Sequence, residues 1–187
     1  MVNQSKPTVA IFGGSFDPPH KGHQRIVEKA IEALDIDKLI VVPAYLNPFK
    51  TSSLANAQQR LKWSHLLFDE MPNVIVDDYE IKEGKSTTTE QSVKHFNITY
   101  DVKYLIIGSD NLSTLTKWHQ FEWLNSHISW VIISRRGHPL KVNGLKSYRT
   151  IMLDANVSST DIRDEKDLQY VDKKIKNSVK EILEGNE

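Results

Sequence analysis

The sequence predicts an α/β fold, a doubly wound parallel sheet with helices on both faces. Six short apolar runs, at residues 9–12, 39–42, 74–76, 105–107, 131–133 and 151–153, have the length and continuity of strands buried on both sides. Helical patterns separate several of these runs, the alternation a parallel sheet requires. After the first run, Ile26, Val27, Ala30, Ile31 and Leu34 fall on one face of a helix. Residues 56–69, led by Leu61, Leu66 and Leu67, and residues 88–96 predict two more helices. Near the end, Leu168, Val171, Ile175, Val179 and Ile182 recur every three or four residues in a charged background. They predict an amphipathic closing helix ending at Gly185, within a helical segment of about 158–185. Residues 44–54, 82–86 and 137–147 are expected to be loops.

The 187 residues suit a single domain, 1–187, with one sizeable core. Lys plus Arg and Asp plus Glu each total 24, so no excess positive charge exists to coat a nucleic acid. With 39% hydrophobic residues the chain is too apolar for disorder. The absence of cysteine excludes disulfides, thiol nucleophiles and cysteine metal sites. No window nears the roughly 18 apolar residues of a membrane span, and the N-terminal segment lacks the pattern of a secretion signal. A cytoplasmic chain with no membrane or nucleic-acid partner is expected.

In parallel sheets ligands gather beyond the carboxyl ends of the strands. Directly after the first run stands Gly13-Gly14-Ser15-Phe16-Asp17-Pro18-Pro19-His20-Lys21-Gly22-His23, leading into the first helix. Gly13 and Gly14 allow close approach of backbone to a bound group, and Gly22 at the helix start is expected to leave free N–H groups facing an anion. His20 and His23, three residues apart, can both hydrogen-bond one phosphate and offset charge as it builds. Asp17, His20 and His23 could instead ligate a divalent ion, but the turn offers no further ligand and the glycines would then be idle. Neither a dinucleotide glycine fingerprint nor a Gly-x-x-x-x-Gly-Lys-Ser/Thr loop is present.

Residues Gly14 to His23 resemble the signature of the nucleotidyltransferases that contain His-x-Gly-His, a family shared with class I aminoacyl-tRNA synthetases. Val157-Ser158-Ser159-Thr160-Asp161-Ile162-Arg163 resembles the same family's Ile-Ser-Ser-Thr-x-x-Arg motif. The resemblance implies a Rossmann-like fold and AMP transfer from ATP. It makes His20, His23 and Arg163 catalytic and places Gly13, Gly14, Ser15, Phe16, Gly22, Gly108, Asp110, Ser159 and Thr160, with Arg163, around ATP. Ser159 and Thr160 are expected to cap a helix whose N–H groups, with Arg163, hold the departing phosphates.

The middle of the chain narrows the acceptor. Ile106-Ile107-Gly108-Ser109-Asp110, followed by Trp118-His119, resembles the pattern of bacterial nicotinate-nucleotide adenylyltransferases. By that resemblance Trp118 stacks on the nicotinate ring and Asp110 accepts from ribose hydroxyls, although Trp118 as core and Asp110 as a helix N-cap are the plainer alternatives. Asn47 and Lys50 fall in a loop resembling the family's Pro-Pro-His-Lys segment, Lys50 as a phosphate contact. Thr88, by hydroxyl or backbone N–H, and His119, by backbone N–H, would face the nicotinate carboxylate, with Arg135 nearby. Phe49, Thr87 and the Arg135-Arg136-Gly137 triplet depart from the family's usual residues.

The expected reaction is in-line attack of the nicotinate mononucleotide phosphate on the ATP α-phosphorus, with Mg²⁺ carried by the ATP phosphates and no metal ligand from the protein. Homodimers are common in the family. The alternatives are an adenylyltransferase acting on nicotinamide mononucleotide or phosphopantetheine, and a nucleotide-binding sensor of the same fold without turnover. His20 speaks against the phosphopantetheine enzymes, which usually carry threonine there.

Overall fold

The computed structural model describes residues 5–47, 52–135, 140, 142–154 and 157–185, with the backbone alone described at Arg135. Six strands, β1 (Thr8–Gly14), β2 (Lys38–Pro43), β3 (Val74–Val76), β4 (Asp101–Gly108), β5 (Ser129–Arg135) and β6 (Tyr148–Leu153), form one sheet in the order β3-β2-β1-β4-β5-β6. Every neighbouring pair is parallel. Each predicted apolar run lies inside one of these strands. The order reverses direction at β1 and β4, so the crevice beyond their carboxyl ends is the switch point where such sheets bind ligands.

Alternation along each strand sends successive side chains to opposite faces. One face buries Ala10, Phe12, Leu39, Val41, Ile106 and Val131 beneath α1 (Lys21–Ala33), α2 (Ala57–Phe68), α6 (Ser159–Glu165) and α7 (Lys176–Gly185). The other buries Ile11, Ile40, Leu105, Trp130 and Ile132 with Val93 and Phe96 of α4 (Thr89–Phe96) and Leu124 of α5 (Phe121–His127). The sheet is thus doubly wound. The four-residue α3 (Tyr79–Lys82) and the seven-residue α5 fall where no helix was anticipated. Both are too short to display a periodic pattern.

The long closing helix is corrected. Lys166, at φ 52°, stops α6, and α7 begins only at Lys176. Between them Val171 and Ile175 are buried, but their N–H groups bond three residues back, to Leu168 and Asp172. Successive turns against the core repeat every three or four residues as a helix does, so spacing alone cannot separate them. Gly13 and Gly14 are also relocated. They are the last two residues of β1, paired with Val42 and Pro43, and the loop starts after them.

Candidate active site

Beyond β1 the chain turns at Phe16, whose φ of 47° is unusual for a non-glycine residue. The turn drives the Phe16 ring into the core, 1% exposed, against Phe12 and Phe68. Only its backbone can therefore meet ATP, and the expectation is corrected to that extent. The ring's neighbour on the site side is the His23 imidazole, 5.0 Å away in edge contact.

His20 is the N-cap of α1 and His23 is the third residue within it. The His20 Nδ1 accepts from the Gly22 N–H at 3.1 Å, and the His23 Nδ1 accepts from the His20 N–H at 3.1 Å. This is a capping box built from two imidazoles. A ring nitrogen that accepts from a backbone N–H carries no proton, so each neutral ring bears its proton on Nε2. Backbone geometry thereby makes both Nε2 atoms donors.

The same geometry corrects the expectation for Gly22. Its N–H is taken by His20, while the Lys21 N–H donates to the Tyr170 carbonyl and those of His23 and Gln24 to the His20 carbonyl. The start of α1 therefore turns no free N–H from these residues toward an anion. Gly22 is required for space instead. A Cβ there would lie 2.9 Å from the His20 ring and 2.9 Å from the Val157 side chain.

The second motif reaches the same loop. Ser158, rather than Ser159 or Thr160, caps α6, its hydroxyl accepting from the Asp161 N–H while Asp161 accepts from the Ser158 N–H. Ser159 turns away and donates to the Pro18 carbonyl at 2.9 Å. Arg163 donates to the Asp17 carbonyl and, at 3.1 Å, to the Thr160 hydroxyl. Residues 141 and 146 positions apart are thus joined directly, and a guanidinium stands beside the histidine loop.

At the end of β4, Gly108 accommodates the Asp110 carboxylate. A Cβ on Gly108 would meet an Asp110 oxygen at 2.3 Å. Asp110 sits inside the 3₁₀ turn Ser109–Asn111 and does not cap it, which removes the N-cap alternative.

On the face that carries α4, Thr88 is the N-cap. Its N–H is held by Gln91 Oε1 at 3.0 Å, so this N–H is not open to a carboxylate as anticipated. Its hydroxyl lies 3.2 Å from Gln91 Oε1 and 3.5 Å from the Glu90 carboxylate. Glu90 is also 3.6 Å from His119 and bonded to Lys94, whose hydrogen bond is the main cause holding its carboxyl below the ordinary range. Glu90 was not anticipated, yet it brings Thr88 and His119 together. Trp118 packs edge-on to Trp130, and its buried Nε1 has no hydrogen-bond partner among the described residues. Asn47 follows β2, Lys50 lies outside the described residues, and the backbone of Arg135 ends β5.

Three other buried polar groups bind the chain to itself. The Asp17 carboxylate, 2% exposed, accepts from the Leu54 and Ala55 N–H groups at 2.7 and 3.0 Å, an arrangement that binds chain rather than metal. Arg60, 1% exposed, donates to the carbonyls of Ser15, Ala44, Tyr45 and Ala55. Burial lowers the guanidinium's pKa, against the attraction of Asp17. Glu80 accepts from the Ser92 hydroxyl at 2.6 Å, and burial pushes its pKa up to about 7. A lone charged residue in a helical pattern carries no sequence signal of burial.

A strand, a histidine-capped helix and an arginine brought in by the helix that follows the last strand are the marks of a nucleotidyltransferase, and the cytidylyltransferase-like family model matches residues 11–165. The chain is 68% identical over 183 residues, 98% of its length and 97% of the relative's, to a protein of a Sulfurovum species named "Probable nicotinate-nucleotide adenylyltransferase". It is 45% identical over 157 residues, 83% of its length and 86% of the relative's, to a protein of the same name from a Nitratiruptor species. The chain belongs to the cytidylyltransferase-like family, in its nicotinate-nucleotide adenylyltransferase branch. Its fold matches the solved Plasmodium falciparum nicotinic acid mononucleotide adenylyltransferase complexed with NaAD, with a TM-score of 0.72 at 20% identity, covering 96% of this chain and 95% of that one. Among the described residues no helix is long and apolar enough to cross a membrane.

Proposed function

We propose that this chain transfers AMP from ATP to nicotinate mononucleotide, giving nicotinate adenine dinucleotide and pyrophosphate, a step of NAD biosynthesis. An oxygen of the mononucleotide phosphate forms a bond to the ATP α-phosphorus. The bond from that phosphorus to the oxygen bridging the β-phosphate breaks, and pyrophosphate leaves with the electron pair. The substrate is the nucleophile, so the protein contributes position and charge.

The observation that carries the mechanism is the double imidazole cap. Both Nδ1 atoms are engaged by backbone, which sets the ring protons on Nε2, and in this reading those N–H groups donate to phosphate oxygens. Arg163, held over the Asp17 carbonyl, adds positive charge where the β and γ phosphates accumulate it. Gly13, Gly14, Ser15, the Phe16 backbone, Gly22, Gly108, Asp110 and Thr160 surround ATP in this reading, while Ser159 acts indirectly, through the Pro18 carbonyl of the histidine loop. Gly22 contributes by making room for His20. Trp118, His119, Thr88, Asn47, Lys50 and Arg135 form the acceptor side.

In this reading Mg²⁺ is carried by the ATP phosphates rather than by a protein cage. The metal would draw charge from those phosphates. In this reading the whole chain acts as one domain in the cytoplasm, and the homodimer common in the family is its expected assembly.

The test is pyrophosphate release from Mg–ATP with nicotinate mononucleotide, nicotinamide mononucleotide or phosphopantetheine offered separately, with product masses measured. Preference for nicotinate mononucleotide is expected. Preference for another acceptor overturns the Trp118 pocket, and no release with any of them indicates a nucleotide-binding sensor.

A further inference from the structure

The loop that follows β1 and the segment between β2 and α2 approach the site from different strands, and two buried charged residues join them. Arg60, on α2, donates to the Ser15 carbonyl at 2.7 Å, to that of Ala44 at 2.7 Å, to that of Tyr45 at 2.6 Å and to that of Ala55 at 3.1 Å. Asp17, in the first loop, accepts from the Leu54 and Ala55 N–H groups. Together they fasten both ends of the β2–α2 segment to the loop that carries His20. That loop is also where Ser159 and Arg163 attach, at Pro18 and Asp17. Asn47, on the proposed acceptor side, stands two residues beyond Tyr45.

A guanidinium this deeply buried is costly unless its donors are satisfied, and hydrophobic side chains of similar volume often stabilise such a position equally well. Its planar fork has a use that packing alone does not supply. It sets three backbone segments at fixed separations, which no apolar side chain and no point-charge ammonium can do.

The geometry points to Arg60, assisted by Asp17, as the positioning residue that holds the acceptor-side segment in register with the histidine loop. This rests on the adenylyl-transfer reading for its functional consequence, but not for its structural one. Arg60 touches no substrate. It acts through Ser15, Tyr45 and Ala55, and a misplacement of about 1 Å between reacting groups is enough to lower turnover on the order of a hundredfold.

The experiment compares wild type with Arg60→Lys, which keeps the charge, and Arg60→Ala, which leaves a cavity that added guanidinium ion can enter. Kinetics are measured well below each variant's Tm, together with amide hydrogen exchange at Ala44, Leu54 and Ala55. For Arg60→Lys the KM for nicotinate mononucleotide is expected to rise about tenfold and kcat to fall by up to about a hundredfold, while the KM for ATP stays within about twofold, with exchange at the three amides faster by about tenfold. Millimolar guanidinium restores the acceptor KM of Arg60→Ala, and sodium at the same ionic strength does not.

A folded Arg60→Lys with wild-type exchange and wild-type acceptor KM overturns the assignment. So does a loss of Tm with both KM values unchanged, which marks a purely structural residue. If Arg60→Lys does not fold, guanidinium rescue of Arg60→Ala decides alone, and its failure counts against the proposal. Should wild type release no pyrophosphate with nicotinate mononucleotide, the functional reading fails, while the exchange data still test the fastening.

Discussion

His20 and His23 lie ring against ring, centroids 3.8 Å apart and planes tilted by 31°, because each imidazole supplies one half of the same helix cap. The contact ties the geometry of the two proposed phosphate donors to helix initiation. Their proton positions follow from the backbone hydrogen bonds that both Nδ1 atoms accept.

Replacing His23 should therefore have two separable effects. His23→Ala is expected to lower kcat on the order of a hundredfold, as when an aimed transition-state donor is removed. It should also cost about 1 kcal/mol of stability through the lost bond from the His20 N–H. Steady-state kinetics and urea unfolding read the two separately, and a near-normal kcat would remove His23 from the chemistry.

Gly22 is a sharper test because intuition gives the wrong sign. In an open helix Gly→Ala stabilises by about 1 kcal/mol. Here the new methyl lies 2.9 Å from both His20 and Val157, so Gly22→Ala should destabilise by about 1–3 kcal/mol and reduce kcat at least about tenfold as the His20 ring is displaced. A raised Tm with unchanged turnover would show that the site yields without cost.

The six strands were legible in the sequence because β1, β2, β4 and β5, buried on both sides, are short apolar runs. The edge strands β3 and β6 are more exposed, with Met152 63% exposed, and show as runs of three residues. The two end motifs were legible for a different reason. Each alone could be an ordinary helix cap, as His20 and Ser158 are, but the two together match one family's pattern at both ends of the chain. Arg60, Asp17 and Glu90 were much less so, since their roles depend on which backbone atoms the fold brings to them, and Arg60 looks like any solvated helix residue until Ser15 and Tyr45 are placed beside it. The segment from Leu168 to Ile175 was misread because turns and helix share a period. Ser158 lost its cap role to Ser159 and Thr160 in the sequence reading because three adjacent hydroxyl residues are interchangeable there until geometry separates them.

Arg163 and Ser159 both reach the histidine loop, but only one carries charge. Arg163→Ala is expected to lower kcat/KM for ATP on the order of a hundredfold. Ser159→Ala, which strips the donor from the Pro18 carbonyl, should cost about 1 kcal/mol of stability with kcat within about threefold. Measuring both variants under one protocol tests the ranking, and its inversion would make Ser159 the phosphate ligand and Arg163 a strut.

Glu80 gives a pH dependence with a defined sign. Burial raises its carboxyl from 4.5 to about 7 in the folded protein, so between those values the native state binds the extra proton. Its favourable contribution is present at low pH and is lost as pH rises through about 7, on the order of 3 kcal/mol in all. Glu80→Gln keeps an acceptor for the Ser92 hydroxyl and has no charge to bury. The variant should be more stable than wild type at pH 8 and close to it at pH 5. Denaturant midpoints at both values test this, and a constant difference would mean that the Glu80 carboxyl titrates alike in both states.

The bond from Arg163 to Asp17 spans 146 residues and that from Ser159 to Pro18 spans 141. A ribosome delivers residue 17 early and residue 163 late. A growing chain released only as far as β6 has every strand it needs yet lacks the fasteners of its first loop. The arginine that the proposed reaction sets beside the phosphates therefore reaches its loop only at the end of synthesis, and a chain cut short at β6 lacks both that arginine and the α6 and α7 side chains that cover one face of the sheet.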